Sequence, residues 1–249
     1  MNTLNHRPSS CRESLIGTIR TVSIVVIVIL LGACSKDNPT TPSESITYTP
    51  PRIGSSFHYS IYDTDTTTSL PITKSYDTTV HIFSNTEISY QGKNNVSKIY
   101  ETSPFFTNVT YLNYESNGDV SVYVDRGNGE YIWLTLPMGS KTTKTLVFMD
   151  TTKIVSGVTT RSKYTSEASY VGTENLTIKG KSVSVLKMKL SNSFAETVNG
   201  VTTTKTMAVF FYFAPSLGYY VKTEQPVQVA PWSDVKQEGH EEILIYYIN

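Results

Sequence analysis

Lys179-Gly-Lys-Ser-Val-Ser-Val-Leu-Lys-Met-Lys-Leu190 decides the fold class. Leu186, Met188 and Leu190 alternate with Lys187 and Lys189, the period of two that places every second side chain on one face of a strand. Lys179-Gly180 supplies turn chemistry before it. The same grammar runs outward in both directions. Val120, Val122 and Val124 alternate with Ser121, Tyr123 and Asp125. Asn117-Gly118 divides Thr110–Glu115 from Asp119–Asp125, Asn128-Gly129 precedes Glu130–Leu136, and Asn199-Gly200 precedes a long strand ending at Ala214. Asn-Gly suits two-residue hairpins because both central residues need positive φ. Amphipathic-helix periodicity is nearly absent. The pattern predicts an all-β domain, a curved antiparallel meander sheet of about 10–12 strands, built as a half-barrel or a sandwich.

Two stretches break the alternation. Ala208–Ala214 (Ala-Val-Phe-Phe-Tyr-Phe-Ala) and Ile243–Ile248 (Ile-Leu-Ile-Tyr-Tyr-Ile) are apolar on both faces. Such strands need cover on each side. A second sheet or a curled barrel wall would cover one face. A loop, the last strand or a bound apolar ligand would cover the other.

The N-terminus carries an address. Arg7, Arg12 and Arg20 precede an apolar run from Val22 to Leu31 that only Ser23 interrupts. A basic segment followed by a short apolar one reads as a secretory signal, and the run is too short for the ~20 apolar residues that span a bilayer. Leu31-Gly32-Ala33-Cys34 resembles the lipobox of bacterial lipoproteins. That resemblance implies peptidase recognition of Leu31, Gly32 and Ala33, and Cys34 as the acylated new N-terminus. Two or three acyl chains anchor effectively permanently. Residues 1–33 are then the signal peptide and 34–51 the lipidated cysteine with its tether, rich in Ser, Thr and Pro, whose only clear apolar side chains are Ile46 and Tyr48. Such a segment buries too little apolar area to fold alone. Residues 52–249 form the single β-rich domain. Ser35 in place of an aspartate favours the outer membrane, on its periplasmic face, with the cell surface as the alternative.

Composition narrows the class. Apolar residues at 39% and charged residues at 17% suit a globular chain. Loss of Arg7, Arg12, Arg20 and Glu13 leaves 18 basic and 20 acidic residues, and the lysines are scattered. Nothing there would gather a phosphate backbone, so nucleic acid is not an expected partner. Of the two cysteines, Cys11 leaves with the signal and Cys34 is acylated, so the domain has no disulfide to draw on.

About half the chain resembles a known pattern. It runs from Tyr170-Val-Gly-Thr-Glu-Asn-Leu-Thr-Ile-Lys-Gly180 through Lys187–Leu190 to Phe211-Tyr-Phe-Ala-Pro-Ser-Leu-Gly-Tyr-Tyr-Val-Lys222, with Ile53-Gly-Ser-Ser-Phe-His-Tyr59 as the entry strand. These stretches resemble β-rich bacterial envelope lipoproteins of the LolA/LolB-like half-barrel kind. Val183 and Val185 stand where that pattern commonly has Ala-Gly-Thr-Phe. The resemblance implies fold and address. It implies no chemistry, because the family has no agreed activity.

The search for chemistry is brief. His240-Glu241-Glu242 lacks the second histidine of a zinc-protease motif, since position 244 is Leu, and reads as a solvated turn before the last strand. His58 and His81 lie in predicted strands. Asp63-Thr-Asp65 starts like a calcium loop, but Thr68 and Lys74 occupy its glycine and bidentate-acid positions, so it reads as a polar hairpin tip. No Gly-x-Ser-x-Gly elbow or phosphate loop is present. The expectation is therefore no enzyme, no metal site and no cofactor. Seventeen tyrosines fit half-buried sheet faces. Three readings of function remain: a carrier or sensor of an apolar ligand held against Phe211 and Phe213, a structural or assembly lipoprotein engaging other envelope proteins, and, weakest, a glycan- or peptide-acting enzyme.

Overall fold

The computed structural model describes residues 46–249 other than 69, 73–78, 105, 126–129 and 231–234. The signal segment, Leu31, Gly32, Ala33, Cys34 and the Asn128-Gly129 turn lie outside the described residues. Every regular element among the described residues is a strand. The first seven are β1 (Ser56–Thr64), β2 (Pro71–Ile72), β3 (Thr79–Tyr90), β4 (Lys93–Thr102), β5 (Thr107–Tyr114), β6 (Val120–Asp125) and β7 (Tyr131–Leu136). The next four are β8 (Lys144–Val155), β9 (Val158–Ile178), β10 (Lys181–Val198) and β11 (Val201–Ala214). The last are β12 (Tyr219–Gln225), β13 (Gln228–Val229), β14 (Lys236–Gln237) and β15 (Gly239–Ile248).

Twelve strands form one antiparallel path, β7-β6-β5-β4-β3-β1-β15-β12-β11-β10-β9-β8, with β2 beside β1 and a separate β13–β14 ladder. The sheet curls until it is nearly closed into a barrel. The first and last long strands join its halves: Phe57 pairs with Tyr247 and Tyr59 with Leu244, across a bulge between His58 and Tyr59. The path ends at β7 and β8, which are consecutive in the chain. The loop between them is tied down from inside. The buried Asp119 accepts the amides of Gly139 at 3.1 Å and Ser140 at 2.8 Å.

Hairpin chemistry explains the meander. Lys179 and Gly180 have φ of 50° and 73°, and Asn199 and Gly200 have 48° and 85°, so both are two-residue turns whose twist matches the flanking strands. Gln91-Gly92 and Ser156-Gly157 repeat the geometry. Asn117-Gly118 differs from the two-residue reading. Only Gly118 is left-handed there, Gly118 donates to the Glu115 carbonyl and Glu115 to the Asp119 carbonyl, which makes a three-residue loop with a bulge.

Alternation places Phe57, Tyr59, Thr79, His81, Phe83, Ile99, Leu112, Val185, Phe213 and Leu244 inside, all buried. The doubly apolar strand β11 obtains its outer cover from lysines. Lys187 Nζ lies 5.2 Å above the ring of Phe210 and 4.8 Å above Tyr212, and Lys222 lies 5.2 Å above Tyr212. Their ammonium groups sit over the rings as cation–π partners, and Lys222 is also paired with Glu224 and Glu241 at 3.2 and 2.6 Å. The Gln228 side chain covers the strand at the start of its apolar stretch by exchanging two 2.8 Å hydrogen bonds with the backbone of Ala208.

The end of the segment read as tether also packs. Ile46 and Tyr48 lie against the core, the Tyr48 ring meets Phe213 edge-on at 5.3 Å, and its hydroxyl donates to the Gly118 carbonyl. Thr49 donates to the Pro215 carbonyl at 3.0 Å. Composition concealed this, because two aromatic-sized contacts suffice once a preformed surface receives them.

Candidate functional site

The interior holds an apolar cavity of about 220 Å³. One wall is Leu112, Val120, Val122, Val124, Leu134 and Leu136 from β5, β6 and β7. The opposite wall is Leu190, Phe211 and Phe213 from β10 and β11. The two walls come from opposite halves of the sheet, and the space survives because the curl is wider than these side chains can fill. Apolar voids of this sort tend to stay dry and to accept apolar guests.

Glu101, Tyr219 and Tyr220 close one side of that cavity, and Glu101 and Tyr220 also line a second pocket of about 540 Å³, the polar pocket, so named for the Thr, His and Glu side chains among its walls. Its other walls include Ile61, Thr79, His81, Phe106, His240 and Glu242. Strand register brings them together. Glu101 sits opposite His81, Thr79 opposite Tyr59, and Glu242 opposite Ile61, so five strands direct these groups to one place.

His81 is the hub. Its Nδ1 lies 3.0 Å from the Tyr219 hydroxyl and 2.9 Å from that of Tyr220, and its Nε2 faces the Glu242 carboxylate at 3.6 Å. The Tyr59 hydroxyl donates to the Tyr220 carbonyl at 2.6 Å. Burial pushes the phenols of Tyr59, Tyr219 and Tyr220 well above their ordinary value, and the charges of Glu101 and Glu242 add to the shift. They are hydrogen-bonding groups, not acids, at any physiological pH. Glu101 receives Thr110 Oγ1 at 2.7 Å and Asn108 Nδ2 at 3.3 Å, both neutral donors. Thr79 is 4% exposed, and its hydroxyl has no hydrogen-bond partner among the described residues.

The residues singled out in the sequence distribute as follows. Phe211 and Phe213 both line the apolar cavity. His240 and Glu242 lie inside β15 and not in a turn, because pairing with β1 extends to Thr64–Gly239. His240 Nδ1 meets Asp63 Oδ1 at 2.9 Å at the pocket rim. Asp65 caps its own hairpin, accepting the amides of Thr67 and Thr68 at 2.9 and 2.7 Å. His58 stacks on Tyr246 at 4.0 Å on the outer surface, and burial followed by the charge of Lys179 lowers its pKa. Among the described residues no group of three His, Cys, Asp or Glu side chains is placed to hold a metal ion.

Sequence reading missed Thr79, Glu101 and Glu242 as parts of one site. The available signal was polar residues in inward register: Thr79-x-His81-x-Phe83 alternates with the core face, and a tight hairpin sets Glu101 against it.

No protein-family model matches the chain. No curated protein matches it significantly. Solved structures give low-scoring likenesses. A protein of Parabacteroides distasonis, provisionally described as a lipoprotein, has a TM-score of 0.46 at 12% identity, over 81% of this chain and 99% of its own. A Bacteroides fragilis protein, provisionally described as exported and as having a YmcC-like fold, has a TM-score of 0.41 at 11% identity, over 82% and 100%. The hypothetical lipoprotein YmcC of Escherichia coli has a TM-score of 0.31 at 12% identity, over 92% and 98%. At TM-scores this low such likeness says nothing of shared chemistry.

Proposed function

We propose that this chain is a lipid-anchored protein of the bacterial cell envelope that binds, and does not transform, an apolar or amphipathic small molecule inside its barrel. The observation that carries the reading is the apolar cavity between the two halves of the sheet, walled by Leu112, Val122, Leu134, Phe211 and Phe213. Alone it is smaller than the ~300–1,000 Å³ of ordinary ligand pockets, and it shares the lining residues Glu101 and Tyr220 with a second pocket of about 540 Å³. The address rests on Leu31-Gly32-Ala33-Cys34. Anchoring through Cys34 would leave the domain at the outer membrane, where an apolar cargo is abundant.

The compact unit Ser43–Asn249 contains every described strand and the whole core. Mass spectrometry of that unit, under native and then denaturing conditions, should show a small apolar mass that is released on unfolding. A protein that carries nothing natively and takes up no added amphiphile would defeat the carrier reading. For the anchor, Cys34→Ser should abolish incorporation of labelled fatty acid into the full chain, and unchanged labelling would refute the assignment.

A second reading, an assembly protein, is favoured by one observation. The β8–β9 and β10–β11 hairpins carry Ile154, Val155 and Val201 at their tips with exposures of 71%, 68% and 71%. Exposed β-branched residues at paired tips suit contact with another protein. Ile154→Asp with Val201→Asp would then abolish cross-linking to envelope proteins while leaving ligand uptake intact.

A further inference from the structure

The carrier reading leaves open what kind of head group the cargo bears, and the polar pocket constrains it. Its lining contains two carboxylates, Glu101 and Glu242, and neither lysine nor arginine appears among the described lining residues. The partners the structure gives Glu101 are neutral amide and hydroxyl donors. Glu242 faces His81 and, at 3.5 Å, the Tyr220 hydroxyl. Half-buried carboxylates with no lysine or arginine among the described residues lining their pocket favour a cation and repel an anion.

A second and independent observation points into the same pocket. Thr79 is buried on the inner face of β3, lines this pocket, and leaves its hydroxyl unsatisfied. A buried hydroxyl without a partner costs roughly what a lost hydrogen bond costs and is uncommon enough to want a reason. An incoming N–H donor supplies one. A primary ammonium offers three donors and no acceptor, which suits the carboxylates of Glu101 and Glu242 and the hydroxyl of Thr79. Phe106 also lines the pocket and adds an aromatic side chain, a residue type compatible with a cation.

We infer that the barrel takes a cationic amphiphile: an ammonium head seated between Glu101, Glu242 and Thr79, and an aliphatic tail passing Tyr220 into the cavity bounded by Phe211 and Phe213. This rests on the carrier reading and narrows it to a class of ligand. Fatty acids and anionic lipids are selected against by the same carboxylates.

The test compares decylamine, decanoate and decanol, matched in tail and differing in head, by calorimetric titration of Ser43–Asn249 at pH 7. Decylamine, protonated there, should bind at least tenfold more tightly than decanoate, with decanol between them. Glu101→Gln and Glu242→Gln should each weaken decylamine about tenfold while changing decanol by less than threefold. Thr79→Val keeps the shape and removes the unpaired hydroxyl, so it should raise the melting temperature of the free protein and still weaken decylamine. That combination separates a ligand contact from a structural one and stands even if a glutamine variant folds poorly. Equal binding of all three probes would overturn the cationic head and leave the carrier reading standing. Binding of none would overturn both.

Discussion

His81 Nδ1, in the lining of the polar pocket, meets at 2.9 Å the hydroxyl of Tyr220, which lines both that pocket and the apolar cavity, across 139 residues of sequence. Tyr219 approaches the same nitrogen at 3.0 Å. Because Nε2 faces a carboxylate, the network assigns the imidazole proton to Nε2, and Nδ1, with its one lone pair, accepts from one of the two tyrosine hydroxyls at a time. His81→Ala would take from the buried Tyr219 hydroxyl its partner at 3.0 Å, while Tyr220 keeps Glu242 at 3.5 Å. The expected loss is about 1–3 kcal/mol, the cost of one unsatisfied buried group. Urea midpoints compared with a surface control such as His58→Ala measure it. A loss below that of His58→Ala would mean that the tyrosines find other partners.

Alkali should unfold the domain through the same cluster. The phenols of Tyr59, Tyr219 and Tyr220 titrate well above 10.0 in the folded state, burial being the main cause. Their folded pKa is raised, so their contribution is complete below the unfolded value and falls as pH rises past it. Above pH ~10 the unfolded chain releases protons that the folded chain keeps, which lowers stability by roughly 1.4 kcal/mol per pH unit for each tyrosine. Tyrosinate absorbance should therefore rise in two phases, the second coinciding with loss of sheet signal. A single gradual phase with the sheet intact would contradict the burial.

The strands were legible in the sequence and the site was not, for one physical reason. Strand identity is local: alternation in Leu186–Leu190 and turn chemistry at Lys179-Gly180 and Asn199-Gly200 lie within a few residues of each other, and the structure realises both. Ser156-Gly157 and Gln91-Gly92 turn in the same way, but Ser and Gln announce a left-handed residue less clearly than Asn does. The pocket depends on register between distant strands. Glu101 meets His81 through one hairpin, and Glu242 arrives only because β15 pairs with β1. Nothing local in His240-Glu241-Glu242 signals that closure. The lysine cover of Phe210 and Tyr212 was equally hidden, since Lys187 and Lys222 read as the polar half of neighbouring strands.

Tyr48 extends the folded unit beyond its compositional boundary. A chain beginning at Arg52 loses the ring contact with Phe213 and the hydroxyl bond to Gly118. It should be less stable than one beginning at Ser43 by about 2–3 kcal/mol, from burial of an aromatic and one hydrogen bond. Tyr48→Ala in the longer chain should reproduce most of the loss. Equal denaturant midpoints for the two chains would show that the segment rests on the domain without stabilising it.

The two faces of β11 should respond unequally to truncation. Phe213 is 3% exposed and packs on Tyr48, so Phe213→Ala should cost about 3–5 kcal/mol. Phe210 lies on the outer face beneath Lys187, where part of its ring already meets water, and Phe210→Ala should cost about 1–2 kcal/mol. Similar losses at both positions would mean that the outer face is as closed as the inner.

The central claim is that the barrel is a container. Phe211 lines the cavity and is half-buried, so Phe211→Trp places extra volume in the space a guest would occupy while keeping an aromatic on the strand. Fluorescence titration of Ser43–Asn249 with an environment-sensitive apolar dye is the direct measurement. Saturable, one-to-one binding by the wild type, weakened at least tenfold in Phe211→Trp at an unchanged melting temperature, is the predicted result. Absence of saturable binding, or equal binding by both proteins, would contradict it.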